Sequence, residues 1–344
     1  MKILLYCKHS YSFGILRPLE LAARRAGHQL LWYVDPDILG KFPFAAPSAA
    51  TGSLPEAHDY RADAVFAPGN AVPPSLRGVK VQIFHGFAGE KKGHFRIRHY
   101  FDLYLTQGPY FTREFRRLAE RHGDMEVRET GWSKLDPLFA GDIDLEPLRR
   151  KYGIGPERKV LLYAPTFSPK LTSAPAMLDR LPDLAACGPD GAACSVLVKF
   201  HPLMDAAVVE AYRQRAAGLP AVQVADEDDL LPFMRLADVM LSDTSSAVYE
   251  FLLLDKPVVT LNSSAPKPDW IDVADPDAVP DACRRALMQG VGDNAVKREY
   301  HPYDDGRSSE RMLAAVEDYI ARHGVPERRR IPWWRRFKLR KSQW

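Results

Sequence analysis

Short apolar runs of strand length recur along the chain: KILLYC, QLLWYV, DAVFAP, VQIF and LYLTQ in the first half, then KVLLYAP, SVLVKFHP, DVMLSD and PVVTL. Several are apolar throughout rather than alternating, which predicts parallel strands covered on both faces. Stretches with helical spacing lie between them: ILRPLELAARRAGH after the first run, YFTREFRRLAERHG before VRETG, and AVVEAYRQRAAG after KFHP. Such strand–helix alternation predicts βαβ units in doubly wound sheets. The polar stretch AGDIDLEPLRRKYGIGPERK, residues 140–159, separates two such series. The expectation is an α/β protein with domains at 1–145 and 155–322, facing each other across a cleft, and a basic Trp-rich tail at 323–344. FPFAAPSAATGSLPEA reads as a loop-like insertion in the first domain. Open α/β sheets bind ligands at the carboxyl ends of their strands. Every motif considered below, the tail apart, follows a predicted strand.

A length of 344 residues with 46% hydrophobic composition suits two domains rather than one core. The net charge of +3 says little until it is located. Eight basic residues and no acid lie between Arg328 and Trp344, so the rest of the chain carries a net −5. Four scattered cysteines have no metal-ligand spacing and suit a reduced compartment. The start, MKILLYCKHSYSFG, reads as a strand broken by Lys8 and His9, not as a signal peptide. No apolar stretch approaches the ~18 residues that a membrane-spanning helix needs. A cytoplasmic protein is expected.

The most unusual turn is LSDTSSAVYEF, where Asp243, Thr244, Ser245 and Ser246 stand between a buried strand and an apolar helix. A helix cap needs one such residue. Four suggest hydroxyl donors beside a helix N-terminus, an arrangement that binds phosphate. Glu250, further along that helix, is a candidate for a ribose contact or for simple surface solvation. In VLVKFHP, Lys199 and His201 follow a strand, and Pro202 ends it, which suits an anionic ligand. In VQIFHGFAGEKKG, His85 is a candidate general base, with Lys91 and Lys92 as a basic pair nearby. Thr166 in LLYAPTF, and Lys134 and Asp136 in TGWSKLDPL, lie in strand-end loops, and Asp136 suits either a helix cap or the orientation of a catalytic group. The chain has no G-x-G-x-x-G after the first strand and no P-loop, zincin or nucleophile-elbow motif.

In this order FHG…EKKG, GPYF, TGWSKLDPL, LLYAPTF, VKFHP, DLLPFMRLADVMLSDTSSAVYEFLLLDKPVV and YDDGRSSERMLAAVEDYI resemble the CDP-glycerol glycerophosphotransferase family of teichoic-acid primases and polymerases. The likeness runs from about residue 80 to 322. It implies a GT-B fold of two Rossmann-like domains, with a metal-free mechanism and no cofactor beyond the CDP-glycerol donor. It further implies that His201 and the Asp243–Ser246 turn hold the donor phosphates, helped by Thr166 and Lys199, while Glu250 stays a ribose candidate. His85 would be the base on an acceptor hydroxyl, Asp136 would help arrange that site, and Lys91, Lys92 and Lys134 would serve the acceptor side. The product would be CMP and a new glycerol-phosphate ester on a lipid-linked or surface-glycan acceptor. The chain departs from the family pattern at Thr244, Ser168, Lys134–Leu135 and Phe87–Ala88.

Two other readings share these residues: a UDP-sugar-dependent GT-B glycosyltransferase or 2-epimerase-like enzyme, and an inactive polymer-binding module. In the tail, residues 328–344 alternate Arg and Lys with Trp333, Trp334, Phe337, Leu339 and Trp344. That pattern predicts binding to an anionic membrane surface, and hence peripheral attachment to the inner face of the cell membrane, rather than to nucleic acid.

Overall fold

The buried strands are rich in Val, Ile, Leu and Tyr, whose side chains fit a pleated, covered surface. The computed structural model describes residues 1–87, 94–141, 143–265 and 269–331. These form two compact units, one of Met1–Gly141 with Glu299 onward, the other Asp142–Arg298.

In the first unit the described strands are β1 (Lys2–Cys7), β2 (Gln29–Val34), β3 (Ala50–Thr51), β4 (Ala64–Ala67), β5 (Val79–Gln82), β6 (Leu103–Thr106) and β7 (Glu126–Glu129). They form one parallel sheet in the order β3-β2-β1-β4-β5-β6-β7. β4, β5 and β6 are buried along their whole length; β5 (VKVQ) is not apolar throughout, and its buried Lys80 and Gln82 donate to backbone carbonyls. The expected loop-like insertion is in fact structured. It carries β3, paired through Trp32↔Ala50, and the helix Leu54–Asp59, whose N–H at Glu56 is accepted by the Ser53 hydroxyl at 3.3 Å. β7 has the sequence EVRE and escaped the apolar-run reading because it is an edge strand bearing charges.

The second unit contains β8 (Val160–Tyr163), β9 (Ser195–Val198), β10 (Val222–Val224), β11 (Val239–Ser242), β12 (Val258–Leu261) and β13 (Ile271–Val273). Its sheet is also parallel, in the order β10-β9-β8-β11-β12-β13. Its core joins Leu161, Tyr163, Val196, Val198, Val239 and Leu241 of the strands to Leu181, Leu184, Ala282 and Cys283 of flanking helices. Two parallel, doubly wound α/β sheets are the architecture expected of GT-B.

Each sheet has one place where the chain order reverses: between β1 and β4 in the first unit, and between β8 and β11 in the second. Loops leaving the carboxyl ends of such neighbouring strands diverge to opposite faces and open a crevice.

The expected extent of the second domain, 155–322, needs correction at its end. Residues 299 onward belong to the first unit. The helix Ser308–His323 packs on the first helix, Ser12–Arg25, and against β5. The reason lies in specific polar anchors. Asp136 accepts the N–H groups of Ser308 and Ser309 at 2.8 and 2.7 Å. His301 Nε2 accepts the Trp132 N–H at 3.0 Å, and Arg311 Nε donates to the Thr130 carbonyl at 2.8 Å. A side chain at Gly131, where φ is +83°, would collide with Ser308. Thus YDDGRSSERM belongs to the first unit although it follows the second in sequence.

The tail is also corrected at its near end. Arg329 is not a surface charge. Its guanidinium donates to Asp102 at 2.7 Å and to Asp124 at 2.8 Å, and its side chain is only 10% exposed. Ile331 is buried. The rest of the tail, 332–344, lies outside the described residues.

Candidate active site

In the first unit, His85 stands just beyond the carboxyl end of β5. The preceding Phe84 has φ +61°, a left-handed conformation that costs a non-glycine residue roughly 1–2 kcal/mol. Packing holds it there: its ring lies 4.8 Å from Phe115 and 5.5 Å from His94. The strained turn buries Phe84 and leaves the next side chain, His85, exposed. His85 Nδ1 is 3.1 Å from the Pro68 carbonyl oxygen. A carbonyl can only accept, so Nδ1 carries a proton, and in the neutral ring the lone pair that a general base requires is then on Nε2. His85 also borders a cavity of about 240 Å³ at the carboxyl ends of β1 and β4, the reversal point of this sheet. The Tyr11 ring lies 5.5 Å from His85 and 5.4 Å from His9.

Lys134 is half-buried, with its ammonium 5.1 Å from the centre of the Trp132 ring. Asp136 is buried and both oxygens are engaged by Ser308 and Ser309. Burial raises its carboxyl above the usual range, against the lowering effect of those donors. Its inclusion among catalytic groups is therefore corrected. It ties the helix Ser308–His323 to the loop Thr130–Leu138 and does not offer an oxygen to a substrate. Lys91 and Lys92 lie outside the described residues.

In the second unit, the reversal point lies between the turns after β8 and β11, which carry Thr166 and Asp243–Ser246. Asp243 is fully buried. It accepts the Thr166 N–H at 2.9 Å, the Ser173 N–H at 2.8 Å and the Ser173 hydroxyl at 2.9 Å. Assigning Asp243 to phosphate contact is thus corrected: its oxygens are taken, and a carboxylate repels phosphate. Its work is to pin the 164–173 loop against β11. That leaves the three hydroxyls. Thr244 Oγ1 accepts the Ser264 N–H at 3.0 Å, and Ser245 Oγ accepts the Ala247 N–H at 3.2 Å, so both hydroxyl protons point elsewhere. Ser246 takes the N-cap position without a side-chain cap bond. The following helix, Ala247–Leu252, is only six residues long, so hydroxyls and local N–H groups matter more here than a helix dipole.

His201 is exposed and stacks on Phe167 at 4.4 Å. The Leu203 N–H donates to His201 Nδ1 at 3.1 Å, which makes Nε2 the protonated nitrogen and a hydrogen-bond donor. Partial desolvation, then the charge of Lys199, hold its pKa below the usual histidine value. His201 is thus built as a neutral donor, in the opposite tautomer to His85. Lys199 is buried, donates to the Phe200 carbonyl at 2.9 Å, and has its pKa lowered by that burial against the pull of Asp228 and Glu227. Glu250 is also buried, which rules out surface solvation as its role.

The structure therefore brings together Thr166, Asp243, Thr244, Ser245 and Ser246 around one reversal point, with His201 on the loop after neighbouring β9. Around the other it places His85 with Lys8, His9, Asn70 and Arg98, four residues the sequence reading did not single out. Lys8 and His9 follow a strand directly, so their position was visible; Arg98, in FRIRHY, carried no signal.

The sequence model described as CDP-Glycerol:Poly(glycerophosphate) glycerophosphotransferase matches residues 82–264. The teichoic acid glycerol-phosphate primase of Bacillus spizizenii is 28% identical over 167 residues, which is 46% of this chain and 39% of the primase. The UDP-N-acetylglucosamine 2-epimerase of Yersinia pestis is 26% identical over 112 residues, 30% of each protein. The chain thus spans well under two thirds of the length of either relative. Among solved structures, the wall teichoic acid polymerase TagF superposes with a TM-score of 0.69 at 16% identity, covering 93% of this chain and 89% of that one. The UDP-GlcNAc 2-epimerase of Neisseria meningitidis gives 0.61 at 13% identity, covering 92% and 100%. At these identities the structural likeness establishes the fold.

Proposed function

Since the chain belongs to the CDP-glycerol:poly(glycerophosphate) glycerophosphotransferase family, we propose that it moves glycerol phosphate, or a related polyol phosphate, from a CDP-linked donor to a hydroxyl of a lipid-linked or glycan acceptor. The observation that carries this reading is that the family match spans both His85 and the Thr244–Ser246 turn, and each stands at the reversal point of its own sheet.

The chemistry follows from these groups. The acceptor oxygen attacks the β-phosphorus of the donor and its proton passes to Nε2 of His85. The bond from that phosphorus to the bridging oxygen breaks, and CMP leaves with the electron pair. His201 Nε2–H and the hydroxyls of Thr244, Ser245 and Ser246 donate to the diphosphate and offset charge on the leaving group. Asp243 contributes indirectly, by fixing the loop that carries Thr166. A resident cofactor has no part in this scheme.

Purified protein incubated with CDP-glycerol and a membrane extract from its own source should release CMP, and His85→Ala should lower that release by ~10²–10⁴-fold. Release that ignores both extract and His85 would refute the scheme. Stabilisation by UDP but not by CDP would move the donor to a UDP-sugar.

A further inference from the structure

Phe167 is a large apolar ring that stands outside the core. It is 39% exposed, although Tyr163 and Ala164 just before it are buried. The ring stacks on the imidazole of His201, with centroids 4.4 Å apart and planes 30° from parallel. That is at the short end of the usual range for aromatic pairs. Two contacts then fix the imidazole. The Leu203 N–H, 3.1 Å from Nδ1, sets where that edge sits, and the Phe167 ring sets the tilt of the plane. With one face covered and Nδ1 engaged, the Nε2–H bond has a defined direction.

Phe167 is itself held from both sides. The Ala164 N–H donates to the Leu241 carbonyl at 2.9 Å, and the Ser242 hydroxyl donates to the Ala164 carbonyl at 2.6 Å. Asp243 accepts the Thr166 N–H just before Phe167, and the N–H and hydroxyl of Ser173 beyond it. Between those anchors the Ser168 carbonyl accepts from the N–H groups of Leu171 and Thr172, both at 2.9 Å, which closes the loop on itself. A loop fastened at so many points keeps an exposed ring in one place.

We propose that Phe167 is a positioning residue for His201: Asp243 fixes the loop, the loop fixes the Phe167 ring, and the ring aims the Nε2–H of His201 at the diphosphate. That diphosphate belongs to the donor proposed above, and the inference rests on that reading. Phe167 acts through His201 and on no reacting atom. A donor oriented in advance saves the reorganisation that a mobile imidazole would undergo as charge develops on the leaving group. A flat ring is needed for this, because an aliphatic side chain covers the imidazole without setting its plane.

The test has two readings, both on the full chain. Nitrogen NMR with isotope-labelled histidine, His201 being assigned through His201→Ala, observes the imidazole without any turnover. In wild type the two ring nitrogens should report one tautomer, with the proton on Nε2. In Phe167→Ala, and less so in Phe167→Leu, both signals should move towards the average of the two tautomers, and Phe167→Trp should bring them back. His201 signals that are unchanged in Phe167→Ala overturn the proposal. Met288→Ala, at another exposed apolar side chain, on the helix Val279–Gln289, is the control and should leave His201 unmoved. The second reading is CMP release. Phe167→Ala should lower kcat/KM for the donor by roughly tenfold or more. The same change should cost less than about twofold when residue 201 is already Ala, since nothing is left to orient. An equal loss in both backgrounds places Phe167 on the donor itself and overturns the proposal. If the His201 signals respond to Phe167→Ala while CDP does not bind and no variant changes CMP release, the donor assignment has failed and the positioning of His201 by Phe167 stands.

Discussion

His85 and His201 are chemically the same side chain used in opposite ways, and the difference comes from one backbone partner each. A carbonyl at Pro68 forces the proton onto Nδ1 of His85, whereas an N–H at Leu203 forces it onto Nε2 of His201. A sequence shows a histidine after a strand but not which nitrogen is occupied, so the base and the donor were distinguishable only in three dimensions. A third histidine, His301, reports on stability. It is buried, its Nε2 accepts the Trp132 N–H, and burial pushes its pKa down to about 4. A histidine that is neutral when folded and protonates when unfolded gives stability that is complete above about 6.5 and is lost as the pH falls towards 4. The loss amounts to about 3 kcal/mol. Denaturant midpoints should therefore fall between pH 6.5 and 4.5, and His301→Gln, which keeps an acceptor for Trp132, should flatten that slope. A variant with the same slope as wild type would exclude His301 as the titrating group. Asp136 acts in the opposite sense: its raised pKa means that protonation on acidification favours the fold.

At the scale of elements, the polar residues of the strand-end motifs mostly hold loops and helix ends in place. Asp243 pins the loop after β8, and Asp136 caps the helix Ser308–His323 from a distance. Lys256, in the DKPVV stretch, donates to the carbonyls of Met234, Arg235 and Ala237 at 3.2, 2.6 and 2.7 Å, closing the end of the helix Leu231–Leu236. Neither aspartate caps the helix that follows it in sequence: Asp136 holds the end of a distant helix and Asp243 holds a loop. Asp136→Ala leaves two buried N–H groups without an acceptor and should cost about 3 kcal/mol. Chemical denaturation of the full chain measures this, and a shift below about 0.5 kcal/mol would show that the helix end is satisfied otherwise.

Across the whole molecule, the chain leaves the first unit after Gly141 and returns to it at Glu299. The return matters because it brings Arg329 to Asp102 and Asp124, which also hold the Lys80 N–H and His99, and brings Ser308 and Ser309 to Asp136. A chain ending at Arg298 should expose these carboxylates and one face of the first helix, and it should be recovered aggregated or protease-sensitive in the first unit. A chain ending at Ile331 keeps every described anchor and should fold. It lacks five basic residues, each worth ~1 kcal/mol at an anionic surface. Sedimentation with phosphatidylserine vesicles should therefore separate full-length protein from the 1–331 form; equal sedimentation would refute a membrane role for the tail. Among the described residues, no helix is long and apolar enough to cross a membrane.

Local physics made part of this protein legible from its sequence. Apolar runs such as AVFA, VLLY and VMLS announced parallel strands because both their faces must be covered, and turn residues after them marked the carboxyl ends where a ligand can sit. Charged or very short edge strands, EVRE, VQV and IDV, stayed hidden because one side needs no apolar cover. The tertiary structure alone decided which unit owns the C-terminal segment, which tautomer each histidine adopts, and that Asp136, Asp243 and Arg329 are anchors. The anchors and the ownership of the C-terminal segment depend on hydrogen bonds between residues 70 to 227 positions apart, and the tautomers on backbone partners 17 and 2 positions away whose approach the fold sets. Periodicity and composition describe neighbours along the chain and carry no record of such partners.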